Sequence, residues 1–124
     1  MPSQNIENRV WVEISGDLIV ARLRGSITEQ DVADAQAQVL LLLAETNRSR
    51  VLYDVLELEP PSVDLTLAQR ENSDQLYRKG VRIAILVPNT RSAYLARLAF
   101  GQGDYHVIYN DLAQAVTWLM QEEA

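Results

Sequence analysis

The chain has 124 residues, of which 48% are apolar and 23% are charged, a size and balance typical of one globular domain. Its formal net charge is −6 and its 11 basic residues are scattered, which argues against binding to nucleic acid or to an anionic membrane. There is no cysteine, so thiol catalysis, zinc–thiolate sites and disulfides are excluded.

The first residues and the longest apolar run bear on the location of the protein. Met1–Asn5 lacks the positive region and apolar stretch of a signal peptide. The run Val39–Ala44 is far shorter than the roughly 20 residues of a membrane helix. We therefore expect one cytoplasmic domain over residues 1–124, ordered from about 9 to 121, with no membrane insertion.

The first third of the chain predicts a hairpin and a helix. Alternating apolar residues indicate strands over Arg9–Ile14 and Leu18–Arg24, with a tight turn at Gly16-Asp17 between them. Thr28 is a suitable N-cap, and Asp31 three residues later approximates a capping box. The helix should run to about Asn47, and its predicted buried face comprises Val32, Ala35, Val39, Leu42 and Leu43.

The middle of the chain predicts a strand, a connector and a second helix. Arg50–Val55 is a short apolar strand, and Leu56–Ser62 is a connector interrupted by two prolines. Asp64 can cap a helix that continues to about Lys79, where Gly80 ends it.

The last third predicts two strands, each followed by a helix. Val81–Val87 is apolar throughout, as in a strand covered on both faces. Asn89–Ser92 can cap a third helix that Gly101 ends, and Tyr105–Tyr109 is the last strand. Asn110 is the predicted cap of the last helix, whose predicted buried side comprises Leu112, Ala115, Val116 and Leu119.

The order ββαβαβαβα predicts an α/β fold. Alternating strands and helices favour a mostly parallel sheet, and the initial hairpin adds an antiparallel pair. We expect a mixed five-stranded sheet with an N-terminal antiparallel hairpin and four helices.

This order, with particular residues at its joints, resembles the STAS superfamily and, within it, the SpoIIAA-like group. Gly25–Asp31 is a strand-end glycine followed by a capped helix, and Arg50–Asp54 is a strand that ends in aspartate. His106–Leu119 is a strand leading into an Asp-Leu-x-x-Ala-x-x-Trp-Leu helix, similar to the usual ending of SpoIIAA-like domains. The resemblance covers roughly residues 9 to 121.

The resemblance implies a regulatory interaction module rather than a catalyst. In the best-known members, which are anti-sigma-factor antagonists, a partner kinase phosphorylates a serine in an Asp-Ser-Ser-Gly sequence after the third strand. This chain departs from that pattern, because a longer connector without that sequence follows Asp54. Ser62 is the candidate phosphosite carried over, and the alternative is a turn or capping role after the two prolines.

Two further places are candidates for a ligand or partner surface. Asp54 could orient a bound group at the end of its strand, or could hydrogen-bond the connector. The predicted third helix is apolar nearly all round, which indicates either an interaction surface or aromatic side chains folded onto the last strand. The candidate residues in this helix are Thr90, Arg91, Tyr94, Leu95, Leu98 and Phe100.

No pattern in the sequence indicates catalysis, a metal or a cofactor. His106 is the only histidine, and with no cysteine or second histidine we interpret it as structural. Glycine-rich phosphate-binding motifs are absent. We predict a non-enzyme without cofactor or metal.

Two hypotheses for function follow. The first is a regulatory module that acts through contacts with an unknown protein partner and forms a homodimer through the apolar third helix. The second is a carrier or sensor of a small apolar, lipid-like ligand bound between the second and third helices. An apolar cavity of a few hundred Å³ between those helices would favour the second, and solid packing the first.

Overall fold

The computed structural model describes residues 9–60, 66, 80–101 and 105–121. In chain order its elements are β1 (Val10–Ser15), β2 (Leu18–Leu23), α1 (Glu29–Glu45), β3 (Arg50–Asp54), β4 (Arg82–Val87), α2 (Thr90–Phe100), β5 (Tyr105–Tyr109) and α3 (Leu112–Met120). The strands form one sheet in the order β1-β2-β3-β4-β5. β1 is antiparallel to β2, and the remaining pairs are parallel. The predicted mixed five-stranded sheet and N-terminal hairpin are confirmed.

The described residues contain three helices, whereas four were predicted. Their element order is ββαββαβα, because the helix predicted from Asp64 to about Lys79 lies outside the described residues apart from Thr66. Thr66 is helical and buried. Within the part of the chain that the structure describes, no helix is both long and apolar enough to cross a membrane.

The hairpin has the two-residue turn that its sequence predicts. Ser15 pairs with Leu18 across the turn, and Val10 pairs with Leu23 at the far end. Gly16 has φ of +60°, a left-handed conformation that glycine adopts without steric cost. This turn fixes the register that places Ile19, Ala21 and Leu23 together on one face of the sheet.

α1 begins with the predicted capping box. The Thr28 hydroxyl accepts a hydrogen bond from the Asp31 backbone N–H at 3.1 Å, and the Asp31 carboxylate accepts one from the Thr28 N–H at 2.9 Å. Asp31 also accepts a hydrogen bond from Arg9 at 3.2 Å. Partial burial raises the pKa of Asp31, but the hydrogen bonds from Thr28 and Arg9 outweigh it, so the pKa lies below its usual value.

The two faces of the sheet carry separate cores. α1 and α2 pack on one face, here called the α1/α2 face, over the buried side chains of Ile19, Val51, Ile83 and Ile85. α3 packs on the opposite face, here called the α3 face, over a smaller core. That core comprises Leu18, Leu52, Ala84, Leu86, Ile108, Ala115 and Leu119.

The last helix begins one residue later than predicted. The Asp111 side chain, not that of Asn110, accepts a hydrogen bond from the Gln114 N–H at 2.9 Å and caps α3. Asn110 has φ of +52°, and its amide donates to the Pro88 carbonyl at 2.9 Å. Leu112 was predicted to be buried and is instead exposed, whereas Ala115 and Leu119 are buried as predicted.

Candidate functional site

The carboxyl ends of the four parallel strands meet at one edge of the sheet, here called the carboxyl edge. The Asn110 N–H donates to the Val87 carbonyl at 2.9 Å, and the Asn110 side chain donates to Pro88. These two bonds hold the loop after β4 against the loop after β5. Ligands of open α/β sheets commonly bind at this edge, so the two loops frame a candidate surface.

Asp54 lies at the carboxyl edge and is buried, with its hydrogen bonds directed within the chain. Its carboxylate accepts a hydrogen bond from the Arg22 side chain at 3.2 Å and another from the Leu56 backbone N–H at 3.1 Å. These contacts match the alternative in which Asp54 hydrogen-bonds the connector and does not orient a bound group.

The predicted interaction helix, α2, presents little apolar surface to solvent. Leu95 and Phe100 are buried, and Phe100 packs edge-on against Tyr53 with ring centroids 5.1 Å apart. Leu98 is half-buried, whereas Tyr94 is 58% exposed. The aromatic side chain at the end of the helix therefore folds inward, and Tyr94 supplies most of the remaining apolar surface.

Thr90 and Arg91 occupy the first turn of α2, beside the carboxyl edge, and both are exposed. Asn89 caps the helix by accepting a hydrogen bond from the Ser92 N–H at 2.9 Å. Across the joined loops, Tyr109 and Leu112 are also exposed. The carboxyl edge thus combines a cationic side chain with two exposed apolar ones.

A cavity of about 90 Å³ lies on the α1/α2 face, beneath the two helices and above β3 and β4. Its walls are mostly apolar, and Ala35 of α1 faces it from one side and Ala96 of α2 from the other. Thr66 also borders it, which places the cavity beside the one described residue of the predicted second helix. Its volume is below the few hundred Å³ of a typical ligand pocket.

Gln36 introduces a polar group into the cavity wall. Its side chain is 4% exposed, and its Oε1 accepts a hydrogen bond from the Tyr53 hydroxyl. Its Nε2 is buried and has no hydrogen-bond partner. A buried donor left unsatisfied costs about 1–3 kcal/mol, so this amide is an unusual lining for an apolar cavity.

His106 has a structural environment on the α3 face. Its ring stacks on Trp118 of α3, with centroids 4.9 Å apart and planes 20° from parallel. The guanidinium of Arg82 lies 4.1 Å from the Trp118 ring, and it donates to the Trp118 carbonyl at 2.9 Å. Trp118 therefore joins α3 to both β4 and β5.

The predictions about a phosphosite and about a metal site concern the described residues in different ways. Ser62, the candidate phosphosite, lies outside the described residues. Among the residues that are described, no three histidine or acidic side chains are grouped so that they could hold a metal ion.

Several solved structures share this fold. A serine-to-glutamate variant of RsbS from Moorella thermoacetica superimposes with a TM-score of 0.71 at 15% identity, covering 90% of this chain and 94% of that one. An anti-sigma factor antagonist from Mycobacterium paratuberculosis gives 0.67 at 12% identity, covering 90% and 93%. An uncharacterised DUF3478 protein with a SpoIIAA-like fold from Shewanella loihica gives 0.65 at 21% identity, covering 89% and 91%.

These comparisons confirm the predicted SpoIIAA-like fold, which the chain shares over nearly its whole described length. No protein-family model matches the sequence, and no curated protein matches it. At identities of 12% to 21%, the likeness establishes the fold of the domain and leaves its function to be argued from the residues.

The residues that carry the site were missed by sequence reasoning. Gln36 lies within a helical face whose apolar rhythm was clear, and a single polar residue there carries no motif. Tyr109 was assigned to a strand and Leu112 to a buried helix face, and both are exposed.

Proposed function

We propose that this chain is a non-catalytic regulatory module of the cytoplasm that acts by binding another protein at the carboxyl edge. The observation that carries the proposal is the exposure of Leu112 (51%) and Tyr109 (45%) at the carboxyl edge, where the exposed Arg91 also lies in the first turn of α2. Apolar and cationic side chains grouped on a surface are typical of the centres of protein interfaces. The shared fold with an anti-sigma factor antagonist, by its name a regulatory protein, supports the same class of function.

Two side chains that could serve in acid–base chemistry make contacts within the chain. His106 is engaged with Trp118, and Asp54 is engaged with Arg22 and Leu56. General acid–base catalysis needs a group placed to reach a substrate proton. In these two residues, the side chains serve contacts within the chain.

The experiment places a photo-crosslinking amino acid at Leu112 in cells that produce the chain. The matched control is the same amino acid at Leu41, a leucine of similar exposure (55%) near the C-terminal end of α1. We expect one protein adduct of discrete mass from position 112 and none from position 41. The adduct should be lost in an Arg91→Glu background. Adducts of equal yield from both positions, or none from position 112, would refute the proposal.

Self-association is a separate part of the proposal. Tyr94 would supply the centre of a homodimer interface on α2, with Leu98 at its margin. Native mass spectrometry of the purified chain reads the subunit number and any covalent phosphate, including one at Ser62. A wild-type dimer that becomes a monomer in the Tyr94→Asp variant would support self-association through α2. A wild-type chain that is monomeric at high micromolar concentration would refute self-association.

A second candidate function is the binding of a small apolar ligand, which the cavity beneath α1 and α2 favours. An apolar cavity of about 150 Å³ in another protein remains dry and binds benzene, so a void of about 90 Å³ could accept a compact ligand of a few atoms or one end of a longer one. The cavity is too small for a whole lipid chain, which narrows the carrier hypothesis to a sensor of small molecules.

A further inference from the structure

We infer that the cavity binds a small, mostly apolar molecule with a hydrogen-bond-accepting oxygen, a ketone or an aldehyde, and that Gln36 Nε2 is the donor to that oxygen. The inference rests on the second candidate function and specifies its ligand class. It follows from the combination of an apolar void with one unsatisfied donor in its wall.

The position of Gln36 is costly unless something pairs with it. A leucine or methionine would fill the same face of α1 without burying an amide. The Tyr53 hydroxyl satisfies Oε1, whereas both N–H groups of Nε2 are without a partner. An acceptor delivered from the cavity would remove the penalty, after a modest rotation of the amide toward the void.

The remaining walls define the rest of the ligand. Val32, Ile85 and Phe100 line the cavity with hydrocarbon. Only the hydroxyl-bearing Thr66 and Ser92 add polar groups to the rest of the described lining, so the body of the molecule is mostly apolar. No charged side chain belongs to the described lining, so a neutral carbonyl fits better than a carboxylate, whose charge would be buried without a counter-ion. A volume of about 90 Å³ suits a compact ring or a short chain.

The test compares two probes of the same shape, cyclohexanone and methylenecyclohexane, which differ in an oxygen and a CH₂ group. Each is titrated into ¹⁵N-labelled protein, and binding is read from the backbone and side-chain amide signals. Because the two probes differ in hydration, the informative quantity is how each affinity changes between the wild type and a variant, not the affinities themselves.

The informative variant combines Gln36→Met with Tyr53→Phe. The second substitution is needed because the Tyr53 hydroxyl, once released from Gln36, could itself donate to the ketone. We expect the ketone to bind about tenfold more weakly to this variant, while the hydrocarbon binds equally well or better. In the wild type, the Gln36 side-chain signal should shift with the ketone and not with the hydrocarbon.

Location in the cavity is tested by Ala35→Leu, which should fill the void and abolish binding of both probes. Ala33→Leu is the matched control, because Ala33 is exposed on the same helix. If Ala35→Leu does not fold, Ala96→Leu fills the void from α2. Binding that survives a folded filling variant would overturn the assignment of the site.

The outcomes distinguish a failure of this inference from a failure of the ligand-binding function on which it rests. If both probes bind the wild type and lose affinity equally in the double variant, the cavity binds apolar ligands but Gln36 does not select an oxygen. If neither probe binds, both the ligand function and the inference fail. The protein-binding proposal is tested at the carboxyl edge, and none of these results bears on it.

Discussion

The two faces of the sheet are packed in different ways. On the α1/α2 face, two helices present small side chains to the sheet, including Ala35 and Ala96, and a void remains between them. On the α3 face, a single helix closes a smaller core in which Leu119 packs with Leu86. The larger core is therefore the one with the space to bind something, because alanines facing each other do not fill the distance between helix and sheet.

The largest effect should come from truncating two neighbours on β4 that point to opposite faces. Leu86 is fully buried on the α3 face, and Ile85 is buried on the α1/α2 face beside the cavity. We expect Leu86→Ala to lower the free energy of unfolding by about 4 kcal/mol and Ile85→Ala by about 2–3 kcal/mol. A side chain that already borders a void has fewer contacts to lose.

Urea denaturation of both variants and the wild type gives this comparison directly. The substitutions are adjacent on one strand, so differences in secondary structure are minimised. A loss for Ile85→Ala equal to or greater than that for Leu86→Ala would mean that the α1/α2 face is packed as tightly as the α3 face.

The difference between the faces could be predicted only in part from the sequence. The 3.6-residue rhythm of α1 correctly identified Val32, Ala35 and Val39 as buried, whereas Leu42 and Leu43, predicted on the same face, are half-buried. The same rhythm does not report how far the opposing helix lies from the sheet, so the cavity could not be predicted from it. Gln36 was missed for a related reason, because its hydrogen-bond partner Tyr53 lies on β3, which is distant in the sequence.

Local capping signals gave mixed results for a physical reason. Thr28 and Asp31 were predicted correctly because a capping box specifies two reciprocal bonds at fixed spacing. Asn110 and Asp111 are both good capping residues, and sequence alone does not rank them. Asn110 is used elsewhere, because its side chain and N–H bind the loop after β4. These tertiary contacts of Asn110 leave Asp111 to cap α3.

An intermediate effect should follow from replacing the tryptophan that closes the α3 face. Trp118→Leu preserves an apolar side chain but removes the stack on His106 and the contact with the Arg82 guanidinium. We expect a loss of about 1–2 kcal/mol in the free energy of unfolding. Trp11→Leu is the matched control, because Trp11 is exposed and its indole N–H donates to the side chain of Glu13. We expect this variant to lose less than about 0.5 kcal/mol in the free energy of unfolding.

Equal losses for the two tryptophan variants would contradict this account of the α3 face. They would show that the contacts of Trp118 with β4 and β5 contribute little beyond its apolar area. Intrinsic fluorescence of each single-tryptophan variant provides an independent check, because Trp118 should be quenched less by iodide than the more exposed Trp11.

The smallest effect concerns the start of α1 and its dependence on pH. The pKa of Asp31 is lowered in the folded chain, so its ionised form stabilises the fold at pH above its unfolded value near 3.8. That contribution falls as the pH drops through the lowered pKa of the folded state, because the protonated carboxyl is a weaker acceptor for Thr28 and Arg9. Asp31→Asn should therefore cost roughly 0.5 kcal/mol at pH 7 and almost nothing at the acid end.

The control is Asp34→Asn, which changes the net charge equally on the same helix and alters an exposed position whose Oδ1 can still accept the hydrogen bond from Gln30. Urea denaturation of both variants from pH 7 down to the lowest pH at which the chain folds should show the Asp31→Asn deficit disappearing while the Asp34→Asn difference remains small throughout. A deficit for Asp31→Asn that is constant with pH would mean that the carboxylate acts through its shape and not its charge. α1, which forms one wall of the cavity, would then lack the acid sensitivity expected from its capping box.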